Sequence, residues 1–239
     1  MNILIPMAGN GSRFSQAGYV LPKPLIDVQG KPMIQVVVDC MNIDANYIFI
    51  VQKEHREKYN LDKVLNSISN NCKIVETNGV TEGAACTALL AKEFINNDEQ
   101  LIISNSDHFI DWNSSQFLEK MELENLDGGI LTFEANHPKW SYVKTDVDGF
   151  ICEVAEKQVI STHATAGIYY WKQGKRFVDC AEEMISKNIR VNNEFYICPV
   201  YNQAIEKNMK IKNFLVNEMW GLGTPEDLET FLKSDKLIF

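Results

Sequence analysis

Gly9-Asn10-Gly11-Ser12-Arg13-Phe14, a loop to Leu21, then Pro22-Lys23-Pro24-Leu25 and Gly30-Lys31-Pro32 follow the apolar run Asn2 to Met7. That run is short enough for a fully buried parallel strand. Glycines at 9 and 11 let the backbone approach a ligand, because no Cβ intervenes and positive φ is available. Successive N–H groups in such a turn form a concavity that binds anions. A dinucleotide fingerprint would need a third glycine where Phe14 stands, and a Walker loop would close on Gly-Lys-Ser/Thr. Neither is present. One guanidinium, Arg13, and one ammonium, Lys23, held between prolines of fixed φ, suit a triphosphate.

Outward from this turn, strand-like and helix-like segments alternate. Tyr47 to Gln52, Lys73 to Thr77 and Leu101 to Asn105 read as strands; Met33 to Met41, Glu54 to Ser69 and Glu82 to Phe94 carry helical spacing. The expectation is an α/β fold with a Rossmann-like, mixed but mostly parallel sheet flanked by helices. Ligands then lie beyond the carboxyl ends of the strands, which puts the glycine turn and Asn105-Ser106-Asp107 on one rim. From Gly128 the pattern is richer in strands: Gly129 to Phe133, Tyr142 to Thr145, Phe150 to Val154 and Thr165 to Trp171. Helices near Lys175 to Lys187 and Phe195 to Lys207, a strand Lys210 to Leu215 and a helix capped at Thr224-Pro225-Glu226-Asp227 complete it. With no repeat and no linker, one domain over 1–239 is expected, its nucleotide half 1–127 and its acceptor half 128–239.

The 239 residues are 45% hydrophobic and 23% charged, ordinary for a globular protein able to bury a large core. A net charge of −9 argues against a nucleic-acid partner or an anionic membrane, so one basic cluster in an acidic chain is informative. No apolar stretch reaches the length of a membrane span, and no charged leader precedes the first strand. Six cysteines without Cys-x-x-Cys spacing fit buried thiols in a reducing cytoplasm, and four scattered histidines make a histidine metal site an unpromising reading. The sequence leaves a homo-oligomer open.

The Gly-x-Gly-x-Arg turn, Pro22-Lys23-Pro24-Leu25 and Gly30-Lys31-Pro32, in this order, resemble the N-terminal signature of the sugar-phosphate nucleotidyltransferases, the nucleoside-diphosphate-sugar pyrophosphorylases, including small bacterial cytidylyltransferases. The resemblance implies their glycosyltransferase-A-like fold and transfer of a nucleoside monophosphate from a nucleoside triphosphate to a small phosphorylated acceptor, with Mg2+ and release of pyrophosphate. It implies nucleotide contacts from Ala8, Gly9, Asn10, Gly11 and Ser12, and charge neutralisation by Arg13 and Lys23 as the catalytic pair. Such chemistry needs no protein nucleophile; positioning and charge suffice.

Asp107, directly after an apolar strand, matches the family's metal aspartate. The second metal aspartate lies in the family's Trp-x-Asp-x-Gly-Thr, where this chain has Trp220-Gly221-Leu222-Gly223-Thr224. Gly221 therefore stands where a carboxylate is expected, and either Glu218 replaces it or phosphate oxygens and water do. The turn Val80 to Ala85 resembles the base-binding segment, with Glu82, Gly83 and Ala84 facing the base; cytosine, uracil, thymine and guanine stay open, a pyrimidine being favoured. On the acceptor side, Glu156 and Lys157 match Glu-Glu-Lys-Pro, Gly167 matches the glycine of Thr-Gly-Leu-Tyr, and Glu194 precedes an apolar helix as the family's acceptor glutamate does. Pro138 to Tyr142 adds an amine and two aromatics with either a packing or an acceptor role. Taken singly, each acceptor-side match also reads as hairpin charge, strand glycine or helix cap. A nucleotide-sugar-dependent glycosyltransferase and a non-catalytic nucleotide-binding paralogue are the competing readings. A role in bacterial surface polysaccharide follows from the family's habits.

Overall fold

A computed structural model describes residues 1–236. Its main sheet begins as expected: Lys73–Thr77, Asn46–Gln52, Asn2–Pro6 and Leu101–Ser104 lie side by side, all parallel. Asn2–Pro6 is central and buried on both faces, which is why it reads as a continuous apolar run with no alternation. Beyond Leu101–Ser104 the direction reverses. The long strand His163–Trp171 runs antiparallel to it and to Gly128–Glu134, which in turn pairs in parallel with Ile211–Leu215.

The sheet forks at Gly167. The C-terminal part of His163–Trp171 pairs with Leu101–Ser104 along one edge, with Ile168 opposite Ser104. On that same edge its N-terminal part pairs with Ser141–Thr145, which carries Ile151–Glu156 as its outer neighbour. Pairing with Gly128–Glu134 shifts register between Thr165 and Tyr169, and Gly167 between them has φ 81°, a conformation that glycine adopts freely. The chain after Ser104 therefore leaves the sheet into the mouth of the fork. A mixed sheet whose parallel half is flanked by helices fits the fold class read from the sequence.

Two hydrophobic clusters cover the faces. One gathers Leu4, Ile50, Ala88, Trp171, Phe177 and Tyr201, under the helices Gly174–Ser186 and Val200–Glu206. The other gathers Ile3, Phe49, Val37, Leu65, Phe117 and Tyr170, under Met33–Met41, Leu61–Ile68 and Ser114–Leu123. A third, smaller cluster joins Phe14, Val28, Met33, Leu222, Leu228 and Phe231. It fastens the glycine turn to the helix Pro225–Leu232, so Phe14, at the position of the absent third glycine, is an anchor in the core.

Some elements differ from the expected pattern. The helix expected over Glu54 to Ser69 is two, Lys53–Tyr59 and Leu61–Ile68, separated by Asn60 at φ 52°, a left-handed conformation that asparagine tolerates. The helix expected from Glu82 starts at Ala84, because Gly83 has φ 134° and the backbone around it bonds to Phe195. Phe195 to Pro199 is not helical; the helix starts at Val200, and an extended bias before Pro199 is in keeping with this. The pattern did not show the helix Ser114–Leu123, capped by the Asn113 side chain accepting from the Gln116 N–H, or the small antiparallel pair His108–Asp111 with Glu218–Gly221.

Candidate active site

A cavity of ≈ 660 Å³ occupies the mouth of the fork. One prong supplies Asn105, Ser106 and Asp107, the other Ser141, Glu156 and Lys157, and Thr165 and Tyr169 form the crotch between them. Arg13 and Lys23 close one side, Glu194 and Tyr196 another, and Lys139, Trp140, Gly221, Gly223 and Asp227 a third. Of the residues expected from sequence, Arg13, Lys23, Ala84, Asp107, Glu156, Lys157 and Glu194 line this one space.

Lys23 donates to Asp107 Oδ2 at 2.7 Å, and both side chains keep about a fifth of their surface, 19% and 23%. Burial pushes the Asp107 carboxyl up, but Lys23 first, then His108 and Arg13, hold it below its ordinary value. Lys23 opens a short 3-10 turn, Lys23–Leu25, whose core-facing Pro24 fixes its backbone. Gly11 has φ 60° and a Cβ there would stand 3.3 Å from Lys23 Cβ, so the glycine turn and the lysine are packed as one unit. A Cβ at Gly9 would meet no protein atom within 4 Å.

Ala8, Gly9, Asn10, Gly11 and Ser12 stand at the rim, directly after the strand that ends at Pro6, and are not among the lining residues. Gln52, at the end of its own strand, donates to Ala8 O at 2.8 Å and to Asn10 Oδ1 at 3.1 Å. A buried amide thus fixes the loop. Sequence reading passed over it because nothing local marks a strand-terminal glutamine as a partner of a residue more than forty positions away.

Gly167 and Glu82 serve differently from the expectation. A Cβ on Gly167 would lie 2.5 Å from Asn105 Nδ2, so the space opened by this glycine is filled by a side chain that itself lines the cavity. Glu82 is turned to the surface, where Arg190 holds it, and is not a lining residue; the turn reaches the cavity through Ala84. Gly83 lies against Phe195.

Gly221 has a structural reason. A Cβ there would come within 3.0 Å of Trp140 Cη2, so the indole takes up room that a side chain at 221 would need. Glu218 does not substitute: it accepts from Trp220 Nε1 at 2.8 Å, pairs with Lys236, faces Asp111 across the small sheet and is outside the cavity lining. Asp227, which does line the cavity, is paired with Lys139 at 2.9 Å. His108, cross-strand from Gly221, is fully buried, and burial lowers its imidazole to about 4, so it is neutral at pH 7.

Among the described residues no group of three or more His, Cys, Asp or Glu could hold a metal ion. Magnesium needs one or two carboxylates and completes its octahedron with phosphate oxygens and water. Asp107 alone therefore fits an ion that arrives with a triphosphate.

The wall of Ser141, Glu156, Lys157 and Tyr196 is built from remote pieces. Ser141 Oγ donates to Glu156 across the strand pair, and burial raises the Glu156 carboxyl above its usual value against the opposing effects of Ser141 and Lys157. Lys157, just past the strand end, has φ 56°, donates its N–H to Trp140 O at 3.1 Å and points its ammonium to the Tyr196 hydroxyl. A non-glycine residue in the left-handed region is uncommon, and here it aims the lysine into the cavity. Tyr196 is not among the expected residues; the helix expected from Phe195 would include it, whereas the backbone is irregular up to Pro199 and Tyr196 lines the cavity.

Known proteins share this fold. The family model described as nucleotidyl transferase matches residues 3–236. The bifunctional protein GlmU of Methanocaldococcus jannaschii is 25% identical over 233 residues, covering 95% of this chain and 52% of that protein; its counterpart in Methanococcus aeolicus is 24% identical. The chain thus spans about half the length of these curated relatives. A nucleoside-diphosphate-sugar pyrophosphorylase from Vibrio cholerae RC9 superposes with a TM-score of 0.83 at 24% identity, over 97% of this chain and 100% of that one. A UDP-glucose pyrophosphorylase solved with UDP-glucose superposes with a TM-score of 0.77 at 18% identity, over 97% and 96%. At these identities the two structures speak to the fold.

Proposed function

The chain belongs to the nucleotidyl transferase family, and on that premise we propose that it transfers a nucleoside monophosphate from a nucleoside triphosphate to a small phosphorylated acceptor. An acceptor phosphate oxygen attacks the α-phosphorus, the bond from that phosphorus to the bridging oxygen breaks, and pyrophosphate leaves with the electron pair. The observation that carries the reading is the convergence of Arg13, Lys23 and Asp107 with Lys157 in one cavity. Two phosphate-bearing molecules need cations from two sides, and the cavity has both.

Arg13 and Lys23 are assigned to the triphosphate and the charge growing on the phosphoryl oxygens. Asp107 would hold a magnesium ion, which would supply charge neutralisation to the triphosphate. Lys157 is assigned to the acceptor phosphate, with Glu156 and Glu194 directed at the acceptor's hydroxyl or amino groups. Ala84, small and lining the cavity, leaves a flat surface for the base, with a pyrimidine triphosphate as the first choice. A sugar phosphate is the leading acceptor, and an activated precursor of a bacterial surface polysaccharide is the corresponding product.

Pyrophosphate release measured across CTP, UTP, dTTP and GTP with a panel of sugar 1-phosphates, phosphocholine and phosphoethanolamine tests this. Release that requires both a triphosphate and an acceptor is expected. Hydrolysis of a nucleotide sugar without any such release would instead favour a glycosyltransferase, and binding without turnover a non-catalytic paralogue.

A further inference from the structure

The turn at 81–84 and the segment 194–196 come from distant parts of the chain, yet their backbones are bonded together in both directions. Phe195 N–H donates to Glu82 O at 2.8 Å, and Ala85 N–H donates to Phe195 O at 2.9 Å. Gly83 sits between these two bonds, and a Cβ on it would overlap the Phe195 carbonyl oxygen and stand 2.5 Å from its nitrogen. Two backbones can approach this closely only where one residue lacks a side chain. The neighbours on either side both reach the cavity: Ala84 lines it from the turn, and Glu194 and Tyr196 line it from the other segment.

Arg190 locks this contact. Its Nη2 donates to Glu82, its Nη1 to Asn193 O at 3.1 Å, its Nε to Asn188 Oδ1 at 2.6 Å, and its guanidinium lies 4.0 Å from the Phe195 ring centroid. One planar group therefore holds the turn, the loop before Glu194 and the ring of the residue between them. Its hold on the turn is the single contact with Glu82, whose side chain is 67% exposed, while Asn188, Asn193 and the Phe195 ring fix where the guanidinium stands. The fork-shaped donor set and the stacked face hold the geometry, and a lysine has neither.

We infer that Arg190 is a positioning residue that fixes the turn 81–84 and the segment 194–196 as one body. The names of the two walls, nucleotide and acceptor, rest on the proposed nucleotidyl transfer; the mechanical tie does not. Seating a base against Ala84 and seating an acceptor against Glu194 and Tyr196 then depend on the same guanidinium, although it touches neither substrate.

Hydrogen exchange on the full chain tests the tie without any ligand. In Arg190→Gln, peptides covering the Ala85 and Phe195 amides are expected to exchange faster together, by about tenfold, while the central strand Asn2–Pro6 stays at the wild-type rate. Arg190→Lys is expected to behave like Arg190→Gln. Gly83→Ala, which reaches the same contact without touching Arg190, should give the same paired loosening if Arg190→Gln does not fold. Kinetically, Arg190→Gln should raise KM for both the triphosphate and the acceptor several-fold, with kcat changed less. Wild-type exchange at both segments, loosening of one alone, or rescue by lysine would each overturn the inference. Absence of pyrophosphate release from the wild type would instead remove the proposed function and leave the exchange result to decide on the tie.

Discussion

The two sides of the cavity are built by opposite strategies. On the side proposed for the triphosphate, Arg13 and Lys23 come from one stretch of chain whose backbone is packed against itself, Gly11 on Lys23, and against the core through Phe14. On the side proposed for the acceptor, Glu156, Lys157, Glu194 and Tyr196 come from separate segments joined by the sheet fork and by Arg190. The first arrangement keeps its geometry through local sequence. The second depends on contacts between segments far apart in the chain.

The largest effect that sharpens this contrast is on Lys23. Replacing it as Lys23→Met should lower kcat by roughly 10²–10³ by removing charge stabilisation at the phosphoryl group, with steady-state pyrophosphate release as the measurement. The same variant moves the stability profile. Asp107 has a lowered pKa in the folded chain, so its pairing stabilises above the unfolded carboxyl pKa and is lost as pH falls through the folded value. Without Lys23, that loss should set in at higher pH, visible as an earlier acid limb in thermal melts.

A smaller and more selective effect is expected at Lys157. Lys157→Met should raise acceptor KM by about tenfold to a hundredfold, in the range of a lost charge-assisted contact, while the triphosphate KM stays within about twofold. If both KM values rose equally, the division into two walls would fail at this residue and not only at Arg190.

The smallest effect has the opposite sign for stability. Glu156 is half-buried and burial raises its pKa, so its ionisation costs the folded state, and the cost grows as pH rises through that value. Glu156→Gln should therefore melt higher than the wild type at neutral pH, by about 2–4 °C for each kcal/mol gained in a chain of this size. The gain should shrink as pH falls toward the ordinary glutamate value, and acceptor KM should rise. A Gln variant that melts lower at pH 8 would show that Glu156 is held as a stabilising anion.

Legibility in the sequence followed the same division. The strand Lys73–Thr77 and the helix Met33–Met41 appear where hydrophobic periodicity puts them, because local spacing decides which face is buried. The break at Asn60 and the late start of the helix at Ala84 escaped it. In both places a backbone conformation set by a single residue overrides a continuous apolar pattern. Gly167 and Glu82 show the limit for sites: the residue type was marked, but what fills the space beside it, Asn105 in one case and Arg190 in the other, depends on segments far away in the chain.

By itself, then, the sequence determined the parallel core, the glycine turn with Arg13 and Lys23, and Asp107 at a strand end, because each is written in neighbouring residues. Only the tertiary structure decided that Trp140 crowds the space beside Gly221, that Gln52 holds the turn, and that the sheet parts at Gly167 to open the cavity. These depend on which surfaces meet when the two halves of the sheet close on each other, and no local spacing encodes that meeting.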